Sequence, residues 1–157
     1  MSANSVNRQA VRDGLASVLT TALTPGTLKA VFGYPVGDAG GVAPFVVVMS
    51  EGSQRAQWTL GAQKHKNAFR LSLVTFVAAA DSATGWTEQN AENQLDLIEK
   101  SIADVLADNR GKKNNPALAW DYIALEEGQF TTVRQETVGG AKYLIEMASV
   151  IAEVKDA

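Results

Sequence analysis

Along residues 6–23, Val11, Leu15, Val18, Leu19 and Ala22 recur at spacings of three and four, while Arg8, Arg12 and Asp13 fall elsewhere on the wheel. That spacing predicts an amphipathic helix. Asn4 or Ser5 is its expected cap, and it must stop near Thr24, because Pro25 disfavours helical geometry in the residue before it. Residues 28–34 then read as a short strand and residues 35–44, rich in Gly and Pro, as a loop. Residues 45–50 form a β-branched apolar run bounded by turn formers, the pattern of a strand buried on both faces. Residues 69–77 begin in strict alternation (Phe69, Leu71 and Leu73 against Arg70 and Ser72) and thicken into Val74, Phe76 and Val77, a strand running from a half-exposed start to a buried end. The polar stretch between these strands, residues 51–67, reads as a 17-residue loop carrying Trp58 and Leu60.

The clearest periodicity belongs to residues 87–109. Ala91, Leu95, Ile98, Ile102, Val105 and Leu106 make one apolar stripe, and Glu92, Asp96, Glu99 and Lys100 occupy the opposite side. Thr87 is placed to cap this helix, with Arg110-Gly111-Lys112-Lys113 as a glycine stop and a positive charge suited to a helix C-terminus. Three strands follow, over residues 120–126, 129–136 and 142–154, the last two joined through Val138-Gly139-Gly140-Ala141, whose paired glycines permit the positive φ of a tight hairpin. In the final strand Tyr143, Ile145, Met147 and Ile151 share one parity and Leu144, Ala148, Val150 and Val154 the other, so both of its faces are expected to be covered.

At 157 residues with 46% apolar content, the chain has the size and the core of one domain, residues 1–157. With 14 Lys and Arg against 17 Asp and Glu the formal charge is -3, so no overall basic field holds free nucleic acid or an anionic membrane. The polar stretch from Met1 to Arg12 carries no secretory pattern, and no apolar run reaches the roughly 18 residues of a membrane helix, so a soluble, unprocessed protein is expected. There are no cysteines, which removes disulfides, thiolate nucleophiles, Cys-based zinc sites and iron–sulfur clusters together.

Candidate chemistry is thin. His65 is the only histidine, and its neighbours Lys64 and Lys66 crowd a carboxylate away from it, so an exposed residue near a partner contact is the better reading than a triad base. A transition-metal site would need carboxylates almost alone, and no Asp-rich loop of EF-hand spacing is present. Gly37-Asp38-Ala39-Gly40-Gly41 lacks the Lys-Ser/Thr pair of a phosphate loop, and Gly111-Lys112-Lys113 ends a helix whose dipole repels anions. Adjacent Glu126 and Glu127 point to opposite sides of a strand, a poor geometry for a shared site. No enzymatic activity, metal or cofactor is therefore expected. The remaining signal is charge. Arg55, Lys64, His65, Lys66 and Arg70 gather in or beside the 51–67 stretch with Trp58, while Lys112 and Lys113 form a second basic tip beside Arg110. Residues 81–110 instead hold Asp81, Glu88, Glu92, Asp96, Glu99, Asp104 and Asp108 against two basic residues. A basic surface with a large aromatic suits docking onto an acidic protein face, so Arg55, Trp58, Lys64, His65, Lys66, Arg70, Lys112 and Lys113 are the candidate partner-interface residues.

The order of parts adds a further expectation. An N-terminal amphipathic helix, a strand ending at Tyr34-Pro35, a Gly-rich loop into Pro44-Phe45-Val46-Val47-Val48, the 69–77 strand, one long helix and a closing Gly-Gly hairpin into a long strand together resemble the tail terminator proteins of long-tailed bacteriophages, and more loosely their neck and tail-completion proteins. The resemblance implies a small α+β domain: a mixed or mainly antiparallel sheet with one long helix and an N-terminal helix packed against it. It also implies a hexameric homo-oligomeric ring that caps the tail tube protein in the virion, stops tube growth and offers a face to the head connector protein. DNA would only pass through the central channel, and no membrane would be involved. The neighbouring role is head–tail joining or tail completion; the reading from another class is a small ligand-binding or enzymatic α+β domain, which would require a pocket with convergent polar groups.

Overall fold

A computed structural model describes residues 7–36, 42–57 and 65–155 of the chain. Its elements run α1 (Arg8–Leu23), β1 (Ala30–Phe32), β2 (Phe45–Gln57), β3 (His65–Ala78), α2 (Glu88–Asp108), β4 (Tyr122–Leu125), β5 (Thr132–Val138) and β6 (Ala141–Lys155). The fold is α+β, as expected. The strands make one 6-stranded sheet in the order β1-β2-β3-β6-β4, with β5 also paired to β6. Only β1 and β2 are parallel.

Both helices start on a side chain that satisfies an otherwise orphaned amide: Asn7 Oδ1 accepts from the Ala10 N–H at 2.8 Å, and Thr87 Oγ1 from the Asn90 N–H at 3.1 Å. The first cap is therefore Asn7; Asn4 and Ser5 lie outside the described residues. In α2 the buried residues are Ala91, Leu95, Ile98, Ile102, Val105 and Leu106, the stripe read from the periodicity. In α1 they are Val11, Leu15, Leu19 and Leu23; Val18 is half-buried and Ala22 is exposed, so the stripe ends on Leu23 instead.

Strand parity sorts the core into two layers. Phe69, Leu71, Leu73 and Val77 of β3 and Leu144, Val150, Ala152 and Val154 of β6 join the buried stripes of both helices in one cluster. The opposite parity builds a smaller, helix-free cluster from Phe45, Val47, Val74, Tyr143 and Ile145. There Phe45 stacks on Phe76 at 4.5 Å, and the Tyr143 ring meets both edge-on at 5.9 and 5.6 Å. Towards the far end of β3 and β6 that same face turns polar: Arg70, Ser72 and Ser149 gather around Glu51, whose carboxylate accepts from both serine hydroxyls. The two-sided apolar character expected of β6 therefore holds only over its first half.

The main correction concerns residues 51–67. Residues 51–57 and 65–67 are strand, not loop. β2 runs to Gln57 and β3 starts at His65, and the two pair from Phe45↔Phe76 to Gln57↔His65 with one irregularity between Ser50 and Gly52. The outer part of this hairpin arm is polar, with Ser53, Gln54 and Arg55 exposed, so it lacks the one-sided apolar alternation by which strands are recognised. Its backbone is nonetheless satisfied by the ladder. Strand bounds shift elsewhere as well. β1 keeps only three residues of the expected 28–34, β5 starts later than expected, and Trp120 is not in a strand: it is fully buried just before β4.

Candidate functional site

The end of α2 is tied to the start of β4 by backbone contacts. The Trp120 indole Nε1–H donates to the Asn109 carbonyl at 2.9 Å, and the Ile123 N–H donates to the Arg110 carbonyl at 2.8 Å. Between them Gly111 passes so close to Asp121 that a Cβ built on it would lie 2.3 Å from the Asp121 carbonyl oxygen. Asp121 is itself pinned to β6, its N–H donating to the Glu153 carbonyl and its side chain accepting from the Lys155 N–H at 2.7 Å. Gly111 thus serves close approach; the helix cap is Asn109. This clamp fixes where the Lys112-Lys113 tip stands.

The two basic groups separated in sequence meet at one end of the molecule. Lys66 pairs with Glu153 at 3.4 Å, and Lys112 with Asp121 at 3.6 Å, so one bonded Asp121–Glu153 unit links the arm to the tip. Arg110 lies over the half-exposed Tyr122 ring at 5.8 Å. Arg55 is exposed, its guanidinium 5.5 Å from the centre of the Phe69 ring, and Lys113 is exposed with no ion pair among the described residues. Arg70 stands further in, at 2.8 Å from Glu126 and 3.9 Å from Glu51, and is largely neutralised there. His65 opens β3 opposite Gln57. Trp58 and Lys64 lie outside the described residues, as does the 37–41 glycine segment. Exposed pairs such as Lys66–Glu153 are worth at most about 1 kcal/mol, so these lysines can exchange partners on docking.

The other end carries an acidic helix face, with Lys29 and Lys142 beside it. The Trp86–Asp81 bridge and the Ala79 N–H on the Lys142 carbonyl hold the start of α2 beside the start of β6. Glu88, Glu92, Asp96 and Glu99 descend from there along exposed positions of α2, without an ion pair among the described residues. Glu146 of β6 faces them, half-buried, with the Thr131 hydroxyl donating to it. Burial raises the Glu146 pKa, the Thr131 hydrogen bond opposes that, and Glu99, Asp96 and Glu92 raise it further. A carboxyl whose folded pKa lies above its unfolded one is a burden when ionised, and stability returns as pH falls through the raised pKa. Glu146→Gln, which keeps an acceptor for Thr131, is expected to raise the melting temperature at pH 7, with the gain vanishing near pH 4. Equal melting temperatures at pH 7 would contradict this account of the acidic end.

A groove of about 740 Å³ at the acidic end is lined by Lys29, Asp81, Trp86 and Lys142 among small residues. Asp81, its one carboxylate, accepts from the Ala83 N–H at 2.9 Å to hold a turn. A smaller cavity of about 160 Å³ on the helix-free face is lined by Val47, Met49, Val74, Phe76, Ile145 and Met147, with Arg134 and Glu136 paired with each other among its lining. Among the described residues no cluster of three or more His, Cys, Asp or Glu could hold a metal ion, and no helix is long and apolar enough to cross a membrane.

Sequence reasoning missed β5 and its approach as a surface. Phe130 is 100% exposed and every residue from Thr131 to Thr137 is exposed. The signal available in the sequence is a lone aromatic directly after the polar run Glu126-Glu127-Gly128-Gln129. No protein-family model matches the chain, and no curated protein matches it.

Proposed function

We propose that the chain is a phage assembly subunit of the tail-terminator kind: it closes with copies of itself into a ring on the end of a tail tube, stops tube growth and presents a docking face to the head connector. The observation that carries this reading is the inequality of the two ends, basic at the arm and the Lys112-Lys113 tip, acidic along the first half of α2. A surface whose opposite ends attract each other favours head-to-tail contact, and head-to-tail contact closes into rings when the rotation permits. The α+β element order of the resemblance supports it too. Partners are a second copy, the tube protein and the connector protein; the chemistry is association alone.

The test is negative-stain microscopy of the purified protein mixed with tail tubes. Six-fold caps on tube ends are expected. A variant with Lys112→Glu and Lys113→Glu should lose most of the caps while keeping its melting temperature. Caps that form equally well with both lysines reversed would remove the charged ends from the account, and bare tube ends with the unaltered protein would overturn the reading.

A further inference from the structure

Strand β5 has a partner on only one side. It pairs with β6 from Thr132↔Met147 to Val138↔Ala141, and among the described residues nothing bonds to its other edge. An unpaired edge seven residues long, exposed from Thr132 to Thr137, is a template for another strand. Its sequence, Thr132-Val133-Arg134-Gln135-Glu136-Thr137-Val138, says which strand. Set antiparallel against itself about Gln135, it brings Arg134 opposite Glu136 on both sides of the centre, Val133 opposite Thr137, and Thr132 opposite Val138. Each charge meets its opposite, and each β-branched residue meets another.

The backbone agrees with this register. The two-residue Gly139-Gly140 turn, with φ of 58° and 82°, closes on Val138 and Ala141 as a hydrogen-bonded pair. Alternation along the ladder then turns the N–H and C=O of Val133, Gln135 and Thr137 outward. Centred on Gln135, those are the groups that meet: Gln135 with Gln135, and Val133 with Thr137 in both directions. A register slipped by one residue would set outward groups against inward ones and would put Arg134 opposite Gln135. Continued past the strand, the favoured register brings Phe130 against the Gly139-Gly140 turn of the second copy, whose Gly140 also edges the 740 Å³ groove, so that the most exposed apolar side chain gains cover. The acidic stripes do not forbid the pairing. Three interstrand spacings, about 14 Å, separate the two β6 strands over which the helices pack together with β3 and β4, more than the roughly 8 Å screening length at physiological salt.

We infer that β5 pairs antiparallel with β5 of a second copy of this chain, joining two sheets into one across a two-fold axis at Gln135. The inference does not rest on the tail-terminator reading: a two-fold β5–β5 contact is not one of the head-to-tail contacts of a ring, and it describes the protein in free solution.

The absence of cysteine makes disulfide trapping a direct test. Residues on the axis lie about 5.5 Å apart at Cα, within disulfide reach. Gln135→Cys alone should therefore cross-link into dimers about tenfold faster than Val133→Cys or Thr137→Cys alone, while a mixture of the last two should cross-link to each other. Gln135→Pro, which removes an outward N–H and spares the β5–β6 ladder, should sediment as a monomer with the melting temperature of the dilute unaltered protein, where the concentrated unaltered protein sediments as a dimer. A protein monomeric at every concentration, or Gln135→Cys no faster than its neighbours, would overturn the inference. If Gln135→Pro fails to fold, the cysteine series alone decides.

Discussion

Trp120→Ala is expected to lower stability by about 3–5 kcal/mol, the range for truncating a fully buried large aromatic, and so to lower the melting temperature by roughly 10 °C in a domain of this size. Trp120 is the largest fully buried side chain among the described residues, and its indole also holds the α2–β4 clamp through the Asn109 carbonyl. The two contributions separate by chemistry. Trp120→Phe keeps most of the volume but leaves that carbonyl without its donor, a further loss on the order of 1 kcal/mol. Urea unfolding of both variants checks the ordering; a Trp120→Ala protein within about 1 kcal/mol of the original would show that the clamp region is not part of the cooperative core.

Gly111→Ala carries the second large effect. A methyl group 2.3 Å from the Asp121 carbonyl oxygen must displace backbone, and both sides are held: Gly111 accepts from the Asn114 N–H at 2.9 Å, while Asp121 is bonded to β6. Overpacking of this kind costs about 1–3 kcal/mol or more. Because the displaced segment carries Lys112 and Lys113, the variant should also move the basic tip and weaken cap formation beyond what its stability alone explains. Reduced stability with capping intact at temperatures where the protein is folded would show that the tip's position does not matter.

What could be read from sequence follows what is local. The α2 stripe and its Thr87 cap are legible because 3.6-residue periodicity and an Asn90 amide within one turn are properties of the segment itself. The Gly139-Gly140 turn is legible for the same reason. The hairpin arm is not: with Ser53, Gln54 and Arg55 in water, nothing in its pattern separates a strand from a loop, and only pairing across the ladder defines it. Likewise the charge on Lys66 and Lys112 is plain in the chain, but their meeting at one end depends on the Lys66↔Lys155 register of β3 with β6 and on Asp121 bonding to Glu153, long-range contacts that no local pattern encodes. The β5 surface illustrates a third case. Residues 129–136 read as a strand from sequence, but the self-complementary order of residues 132–138 acquires meaning only once the outer edge is seen to be free among the described residues.

On the proposed function, this chain ends the growth of a polymer. Purified tube protein polymerised with increasing amounts of the subunit, with tube lengths measured by electron microscopy, tests it most directly. Tubes are expected to shorten as the subunit is added, each finished end bearing a ring. Tubes that elongate to the same lengths at every concentration, with the subunit left free in solution, would contradict it.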